Sequence, residues 1–277
     1  MFVVQILSFP QQVRGNRCIL QQEADFMWLV LCEPGDASAQ WAYKGLRDRD
    51  LNPIRMVTTR ELCFGVRWEH RLGTDGSSVN IKLADGTQIR DREIRGVLNR
   101  IRRPSPENLV LIQPSDRDYV EEELFSFYLS WLHAIDGPIL NRPTPHGLSG
   151  RWRDHSEWIC LAARAGLPVP HFQQSSHGFC EADNFSTGLI RQRAPLHTVL
   201  VVDGHVVGEP IHPKITEGCR RLSLQTDTTI LGIHFSLEPS GKKIFAGATT
   251  HPDLRSGGES FLAHLAQALK PNTVSRS

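Results

Sequence analysis

The sequence predicts an α/β domain with a parallel sheet core, followed by a reduced α+β domain built from antiparallel hairpins. In the first half, a continuous apolar run at 26–32, helical spacing over 37–47 and a short strand at 53–58 give a β-α-β order. This order is typical of a parallel sheet with a crossover helix. In the second half, turn signals at 203–204 and 238–241 each separate two apolar runs, which indicates two antiparallel hairpins.

Size and composition favour a soluble globular protein. The chain has 277 residues, 40% hydrophobic and 22% charged, with a formal net charge of +1. A net charge this close to zero does not favour electrostatic binding to nucleic acid or to an anionic membrane. The six cysteines show no CxxC pairing, and no apolar stretch is long enough for a signal peptide or a membrane anchor. We therefore expect a cytoplasmic protein with reduced thiols.

Further signals complete the first domain. Thr58 and Glu61 have the spacing of a capping box, and Asp85-Gly86 predicts a hairpin turn. The run at 94–101 predicts a strand near the sheet centre, and 115–135 is the clearest helix in the chain.

A junction helix connects the two parts. It begins near Asp154, ends at Gly166 as a C-cap glycine, and leaves through the extended Pro168/Pro170 pair. A last helix is expected over 258–269. The expected division is an N-terminal extension, the α/β domain, the reduced α+β domain and a tail: 1–24, 25–140, 141–270 and 271–277.

The junction carries a family resemblance. An Asn-Arg-Pro loop at 141–143 precedes the helix start Arg-Asp-His at 153–155, and the helix ends in AARAGLPVP at 162–170. With the strand GIHF at 232–235 and the closing helix, this order resembles the ATP-grasp superfamily over most of the chain. The similar groups are ribosomal-protein glutamate ligases, glutathione synthetases and microviridin-type peptide ligases. The first domain would then be a pre-ATP-grasp-like domain.

The resemblance implies a carboxylate–amine ligase that uses ATP and magnesium, yet the residues it requires are missing. The family's junction lysine is His155 here, and the acid of its metal-binding strand is His234. Its Glu-x-Asn strand reads FAGA at 245–248, which leaves Ala246 and Ala248 at the presumed ligand positions. Because Mg²⁺ prefers hard oxygen ligands, the sequence predicts a degenerate site with no metal and no catalytic residue.

A second departure concerns length. Residues 171–196 are too few for the family's ATP-covering subdomain, and they contain no lysine that could hold phosphates. We therefore expect no cofactor.

Five residues around the junction loop are candidates for binding an anionic ligand. The guanidinium group of arginine can donate two parallel hydrogen bonds to a carboxylate or a phosphate. The alternative is a solvated loop whose arginines pair with Asp154 and Glu157. The candidates are Asn141, Arg142, Arg151, Arg153 and His155.

Histidines offer two weaker alternatives. His234 and His251 could approach each other across the second hairpin as a metal or acid–base pair, or His234 could be a polar filler. His171, His177 and Cys180 could ligate zinc, although no fourth ligand is evident.

The combined interpretation is a non-catalytic, ATP-grasp-like accessory protein that binds a peptide or protein partner. The alternative is an active ATP-dependent carboxylate–amine ligase with relocated ligands, which would need ATP and magnesium. A subunit that completes its site with a second chain is a third hypothesis. A homo-oligomer is compatible with all three.

Overall fold

The computed structural model describes residues 26–74, 76–104, 112–172, 197–209, 211–238 and 240–270. Six α-helices and eleven strands lie in this part of the chain. The helices are α1 (Ala37–Arg47), α2 (Thr59–Cys63), α3 (Arg117–Ala134), α4 (His155–Arg164), α5 (Pro213–Gln225) and α6 (Gly258–Ala268). The strands are β1 (Met27–Cys32), β2 (Ile54–Thr58), β3 (Arg67–Gly73), β4 (Gly76–Lys82), β5 (Gln88–Arg90), β6 (Ile94–Asn99), β7 (Ile139–Leu140), β8 (His197–Val202), β9 (His205–Val207), β10 (Ile230–Leu237) and β11 (Lys243–Thr249).

The N-terminal sheet is parallel, with the order β2-β1-β6-β7, and confirms the predicted β-α-β unit. Side chains of β1 alternate between two apolar layers. Leu29 and Leu31 pack on the α3 side, whereas Trp28 and Val30 pack on the side of α1 and α6. Because both faces of β1 are covered, its sequence is a continuous apolar run rather than an alternating one.

A separate three-stranded meander, β3-β4-β5, packs against α3. Trp68 of β3 stacks on Phe127 of α3, with ring centroids 4.5 Å apart. The sequence did not predict β3, because its other face carries the polar side chains of Arg67, Glu69 and Arg71. The predicted turn at Asp85-Gly86 does join β4 to β5.

The C-terminal sheet is antiparallel, with the order β11-β10-β8-β9, and both predicted hairpins are confirmed. Helices α4 and α5 cover one of its faces. α5 was not predicted from the sequence, and it packs through Cys219 and Leu222. A Cβ at Gly218 would lie 2.6 Å from Leu167 Cδ2, so glycine permits the close approach of α5 to the end of α4.

α6 fills the space between the two large sheets. Phe261, Leu262 and Leu265 belong to one apolar cluster with Val30 of β1 and Leu200 of β8. The core is therefore shared between residues on both sides of the predicted domain boundary at 140. None of the helices in the described ranges is long and apolar enough to span a bilayer.

Candidate functional site

The junction loop after β7 is a compact, internally bonded turn. Thr144 and Gly147 exchange two backbone hydrogen bonds of 2.9 and 3.0 Å. The Ser149 hydroxyl donates to the Asn99 carbonyl oxygen at the end of β6 over 3.1 Å. The loop is thus fixed to the carboxyl end of β6, and its flanking residues have defined positions.

Asn141 uses its whole side chain to connect the two large sheets. Its amide nitrogen donates to the carbonyl oxygens of Ile230 and Thr250, each over 2.8 Å. Its Oδ1 accepts from the Ile230 backbone N–H, also over 2.8 Å. The residue is 2% exposed. Asn141 therefore has no group left for a ligand.

Arg142 lies at the end of α3. Its guanidinium donates weakly to the carbonyl oxygens of Leu132 and Gly137, over 3.5 and 3.4 Å. Cationic groups at this end of a helix satisfy its last carbonyls and its dipole. The position favours a capping role for Arg142.

Arg151 and Arg153 share Glu157 as an ion-pair partner, at 3.4 and 3.3 Å. Arg153 also lies over the Trp158 ring, 5.2 Å from its centroid, and donates to the Thr226 carbonyl oxygen at the end of α5 over 3.1 Å. These contacts match the alternative in which the loop arginines pair with nearby acids.

His155 begins α4, and Asp154 caps that helix by accepting from the Glu157 N–H over 2.8 Å. The His155 ring stands edge-on to Phe172, with centroids 6.4 Å apart. The five junction candidates therefore contact different elements. Nε2 of His155 is buried and has no hydrogen-bond partner among the described residues.

His234 has no acid at the register positions around it in the C-terminal sheet. His234 lies opposite Gly247 on β11 and opposite Thr198 on β8. Its Nδ1 is 3.0 Å from the Thr198 hydroxyl oxygen, and burial lowers the pKa of the imidazole. Two pairs further along, on the same face, Gly232 lies opposite Thr249.

A β-bulge determines which residues of β11 share the face of His234. The register runs from His234 opposite Gly247 directly to Phe235 opposite Phe245, so Ala246 is the extra residue. Ala248 lies opposite Ile233 and packs on the apolar face of the sheet. Strict alternation from Phe245 would instead put Ala246 and Ala248 on the face of His234, and these are the two positions that the family resemblance assigned to metal ligands.

The histidine alternatives have different outcomes. In the described ranges, no group of three His, Cys, Asp or Glu side chains lies close enough to hold a metal ion. His251 contacts Arg100 rather than His234. Of the zinc candidates, His177 and Cys180 fall outside the described residues.

A buried ion network at the sheet junction was not predicted from the sequence. Arg100 Nε is 2.7 Å from Asp36 Oδ2, its Nη1 donates to the Pro252 carbonyl oxygen over 3.1 Å, and its Nη2 is 3.0 Å from His251 Nδ1. Burial and then the Arg100 charge lower the pKa of His251 to about 4. Although burial opposes the shift, hydrogen bonding from Arg100 lowers the pKa of Asp36.

No family model matches the sequence, and no curated protein does so either. Solved structures do match. Macrocyclase MdnC bound with precursor peptide MdnA, from Microcystis aeruginosa MRC, has a TM-score of 0.65 and 12% identity, over 88% of this chain and 99% of its own. A Chryseobacterium gregarium RiPP-associated ATP-grasp ligase, in complex with ADP and a leader and core peptide, has a TM-score of 0.62 and 10% identity, over 88% and 95%.

The chain has an ATP-grasp fold.

A third ATP-grasp structure, PsnB with minimal precursor, Mg and ADP, has a TM-score of 0.56 and 18% identity, over 87% of this chain and 96% of its own. Identities this low establish the ATP-grasp fold alone. They confirm the resemblance that the junction helix and the GIHF strand indicated.

Proposed function

We propose that this ATP-grasp-like protein is a non-catalytic accessory protein that binds a peptide. The observation that carries the proposal is the register of His234 opposite Gly247. In the family pattern this part of the sheet supplies the acids and the amide that hold magnesium.

The side chains available there do not suit that ion. His234 contributes a neutral imidazole, Gly247 has no side chain, and Thr198 and Thr249 contribute hydroxyls. Mg²⁺ is normally held by carboxylates together with substrate phosphates. Phosphoryl transfer depends on such ions to neutralise the developing charge, so losing them removes most of the catalytic effect.

The junction arginines support the same proposal. Arg142 caps α3, while Arg151 and Arg153 are paired with Glu157. Each would have to leave these contacts to hold a triphosphate, and His155 stands in place of the family's phosphate-binding lysine.

The peptide half of the proposal rests on the similar structures. MdnC, the Chryseobacterium gregarium ligase and PsnB were all determined with precursor peptides or parts of them. We infer that the present chain retains a peptide partner after losing the ligase chemistry.

Titration calorimetry with ATP, in the presence and absence of Mg²⁺, tests the catalytic half. We expect no magnesium-dependent binding in the micromolar range. Low-micromolar binding that needs Mg²⁺, together with ATP hydrolysis lost in Arg153→Ala, would instead establish the active ligase with relocated ligands.

Selection from a displayed library of random peptides tests the peptide half. We expect a shared motif to be enriched on the wild-type protein relative to an unrelated protein. Absence of any enriched motif over repeated rounds would contradict peptide binding.

A further inference from the structure

The meander leaves one long strand edge open. Within the described ranges, β3 pairs only with β4, so one side of β3 has no neighbouring strand. β3 is seven residues long, the same length as the central strand β4. An edge of this kind presents a row of unpaired N–H and C=O groups, with which a further strand can pair.

Every second residue of β3 directs its peptide groups to this open edge. Val79 of β4 lies opposite His70, and its N–H donates to Asp91 Oδ2 over 3.1 Å. The His70–Val79 pair is therefore not hydrogen-bonded, and the N–H and C=O of His70 point away from β4. Because the two kinds of pair alternate along an antiparallel ladder, Trp68 and Leu72 have the same orientation as His70.

Apolar side chains are concentrated along the same edge. Phe64, Val66 and Leu72 are 45%, 67% and 73% exposed. They are three of the eight large apolar side chains that are exposed in the described ranges, yet all three come from the short segment 64–72. An exposed apolar patch on a globular protein commonly marks an interaction surface.

The sequence of β3 is complementary to itself in one antiparallel register. When His70 pairs with His70 of a second copy, Trp68 lies opposite Leu72 and Glu69 lies opposite Arg71. Each of these pairs occurs twice, because a twofold axis relates the two copies. The outward N–H and C=O groups of Trp68, His70 and Leu72 then all find partners in the other copy.

Charge distinguishes this register from the two nearest alternatives. Sliding one strand by two residues places Glu69 opposite Glu69 in one direction and Arg71 opposite Arg71 in the other. Like charges directly opposite each other destabilise a strand pair, whereas opposite charges stabilise it. The Arg71 guanidinium already reaches the Glu69 carboxylate within one chain, at 3.4 Å, so both side chains extend over the same face.

The other face of the sheet has room for the second copy. Trp68 stacks there on Phe127 of α3, and Leu72 of the second copy would extend this apolar layer. α3 packs over the central strand β4. The α3 helices of two paired copies would therefore lie three strand spacings apart, about 14 Å, which exceeds the ~8–10 Å between packed helices.

We propose that β3 pairs with β3 of a second copy of this chain, antiparallel about His70, so that the two meanders form one continuous sheet. The self-complementary charges and the open peptide groups select a second copy as the occupant of this edge. One strand and its flanking side chains make a small interface, so we expect a reversible dimer with a micromolar dissociation constant. The dimer does not depend on the proposed peptide binding.

Sedimentation equilibrium on the full chain, from submicromolar to millimolar concentration, tests whether the dimer forms. We expect the average mass to rise from that of one chain to that of two. A chain that stays monomeric throughout this range would overturn the inference.

Amide hydrogen exchange by NMR, below and above the dissociation constant, tests whether β3 forms the contact. The amides of Trp68, His70 and Leu72 should gain protection in the dimer, whereas those of Glu69 and Arg71 are already bonded to β4 and should not change. A dimer without this alternation would overturn the inference. So would a monomer in which only a selected peptide protects these amides, because the edge would then belong to the peptide.

Charge reversal tests the register. Glu69→Arg and Arg71→Glu should each weaken the dimer about tenfold or more, because two attractive pairs become repulsive ones. The double variant carrying both changes is again self-complementary, and its dissociation constant should return to within about threefold of wild type. Failure of the double variant to recover, while circular dichroism shows it folded, would overturn the proposed register.

A matched pair of leucine variants tests the apolar contact. Leu72→Lys should weaken the dimer about tenfold or more, because it removes the side chain that faces Trp68. Leu224→Lys on α5 is the control, since Leu224 is similarly exposed, at 60%, and lies outside the meander. Equal dissociation constants for the two variants would overturn the inference.

Discussion

Asn141 connects the end of β7 to both β10 and β11 through a single side chain. Its backbone adopts φ 57°, in the left-handed region that asparagine tolerates better than most residues. The amide offers two donors and an acceptor, and backbone groups of Ile230 and Thr250 take all three bonds. Few other side chains combine this backbone conformation with this set of bonds.

Asn141→Ala should lower the free energy of unfolding by about 2–4 kcal/mol, because it leaves buried backbone groups without partners and places alanine at positive φ. Urea denaturation followed by circular dichroism measures the loss. Arg142→Ala is the control next in sequence, and it should cost less than about 1 kcal/mol because its hydrogen bonds are long and its side chain is exposed. A neutral effect of Asn141→Ala would show that the side chain does not hold the sheets together.

The charge state of His251 gives the junction a pH dependence. Its pKa is about 4 in the folded protein and about 6.5 when unfolded, so the unfolded chain binds more protons between these values. The titration of His251 therefore does not change the free energy of unfolding above pH 6.5. Below that value, the free energy of unfolding decreases as the pH is lowered towards 4. Protonation would place a third positive charge beside Arg100 and Arg102.

His251→Asn should remove this dependence, since Oδ1 of asparagine can still accept from Arg100. Between pH 7.5 and pH 5, wild type should lose about 2 kcal/mol more stability than the variant. Urea denaturation of wild type and the variant at both pH values measures the difference. The contributions of the other histidines cancel, because both proteins contain them. Equal losses would mean that His251 is not held neutral.

At the scale of single elements, the bulge in β11 has the largest effect on the interpretation of the site. It reverses the alternation of the strand at Ala246, so that Gly247 rather than an alanine lies opposite His234. The bulge thus determines which side chains of β11 lie next to His234.

The exit of α4 depends on a glycine conformation. Gly166 has φ +80° after the C-cap Ala165, and an added Cβ would lie 2.9 Å from the end of the Arg221 side chain. Gly166→Ala should cost about 1 kcal/mol of unfolding free energy, and Gly166→Asn should cost less, because asparagine tolerates this region. Thermal unfolding of the two variants beside wild type measures the order, and an equal or reversed order would count against the conformational explanation.

Much of the element order could be predicted from the sequence, because buried strands and capped helices carry local signals. The helix at 37–47, the capping box at Thr58 and both C-terminal hairpins are as expected. β3 and α5 escaped detection, since each has one largely polar face and few apolar residues.

The candidate site was less predictable for a different reason. The partners of Arg142 and Arg153 lie on α3 and α5, and those of Asn141 on β10 and the end of β11. Such contacts depend on how distant elements pack. The position of the bulge at Ala246 likewise follows from pairing with β10 and not from local composition.

At the scale of the whole molecule, α6 joins the two large sheets into one core. Its Leu265 is fully buried among residues of both sheets and of α1. The indole N–H of Trp28 also donates to the Leu269 carbonyl oxygen over 3.3 Å. We therefore expect the two predicted domains to unfold together.

Leu265→Ala should lower the free energy of unfolding by about 2–5 kcal/mol, because it leaves a cavity in the shared core. The loss should appear in a single transition when tryptophan fluorescence and circular dichroism are followed together. Ala263→Ser, on the exposed side of the same helix, is the control and should change little. Two separate transitions in wild type would show that the sheets unfold independently.

The position of α6 in chain order also constrains how the protein is made. A ribosome that has added residue 257 has produced every strand of both large sheets, but none of the side chains that α6 inserts between them. Until those residues emerge, the apolar surfaces around Val30 and Leu200 remain open to water and to other nascent chains. The protein should therefore acquire its native core only after α6 has left the ribosome, and chaperones that shield apolar surfaces would act during that interval.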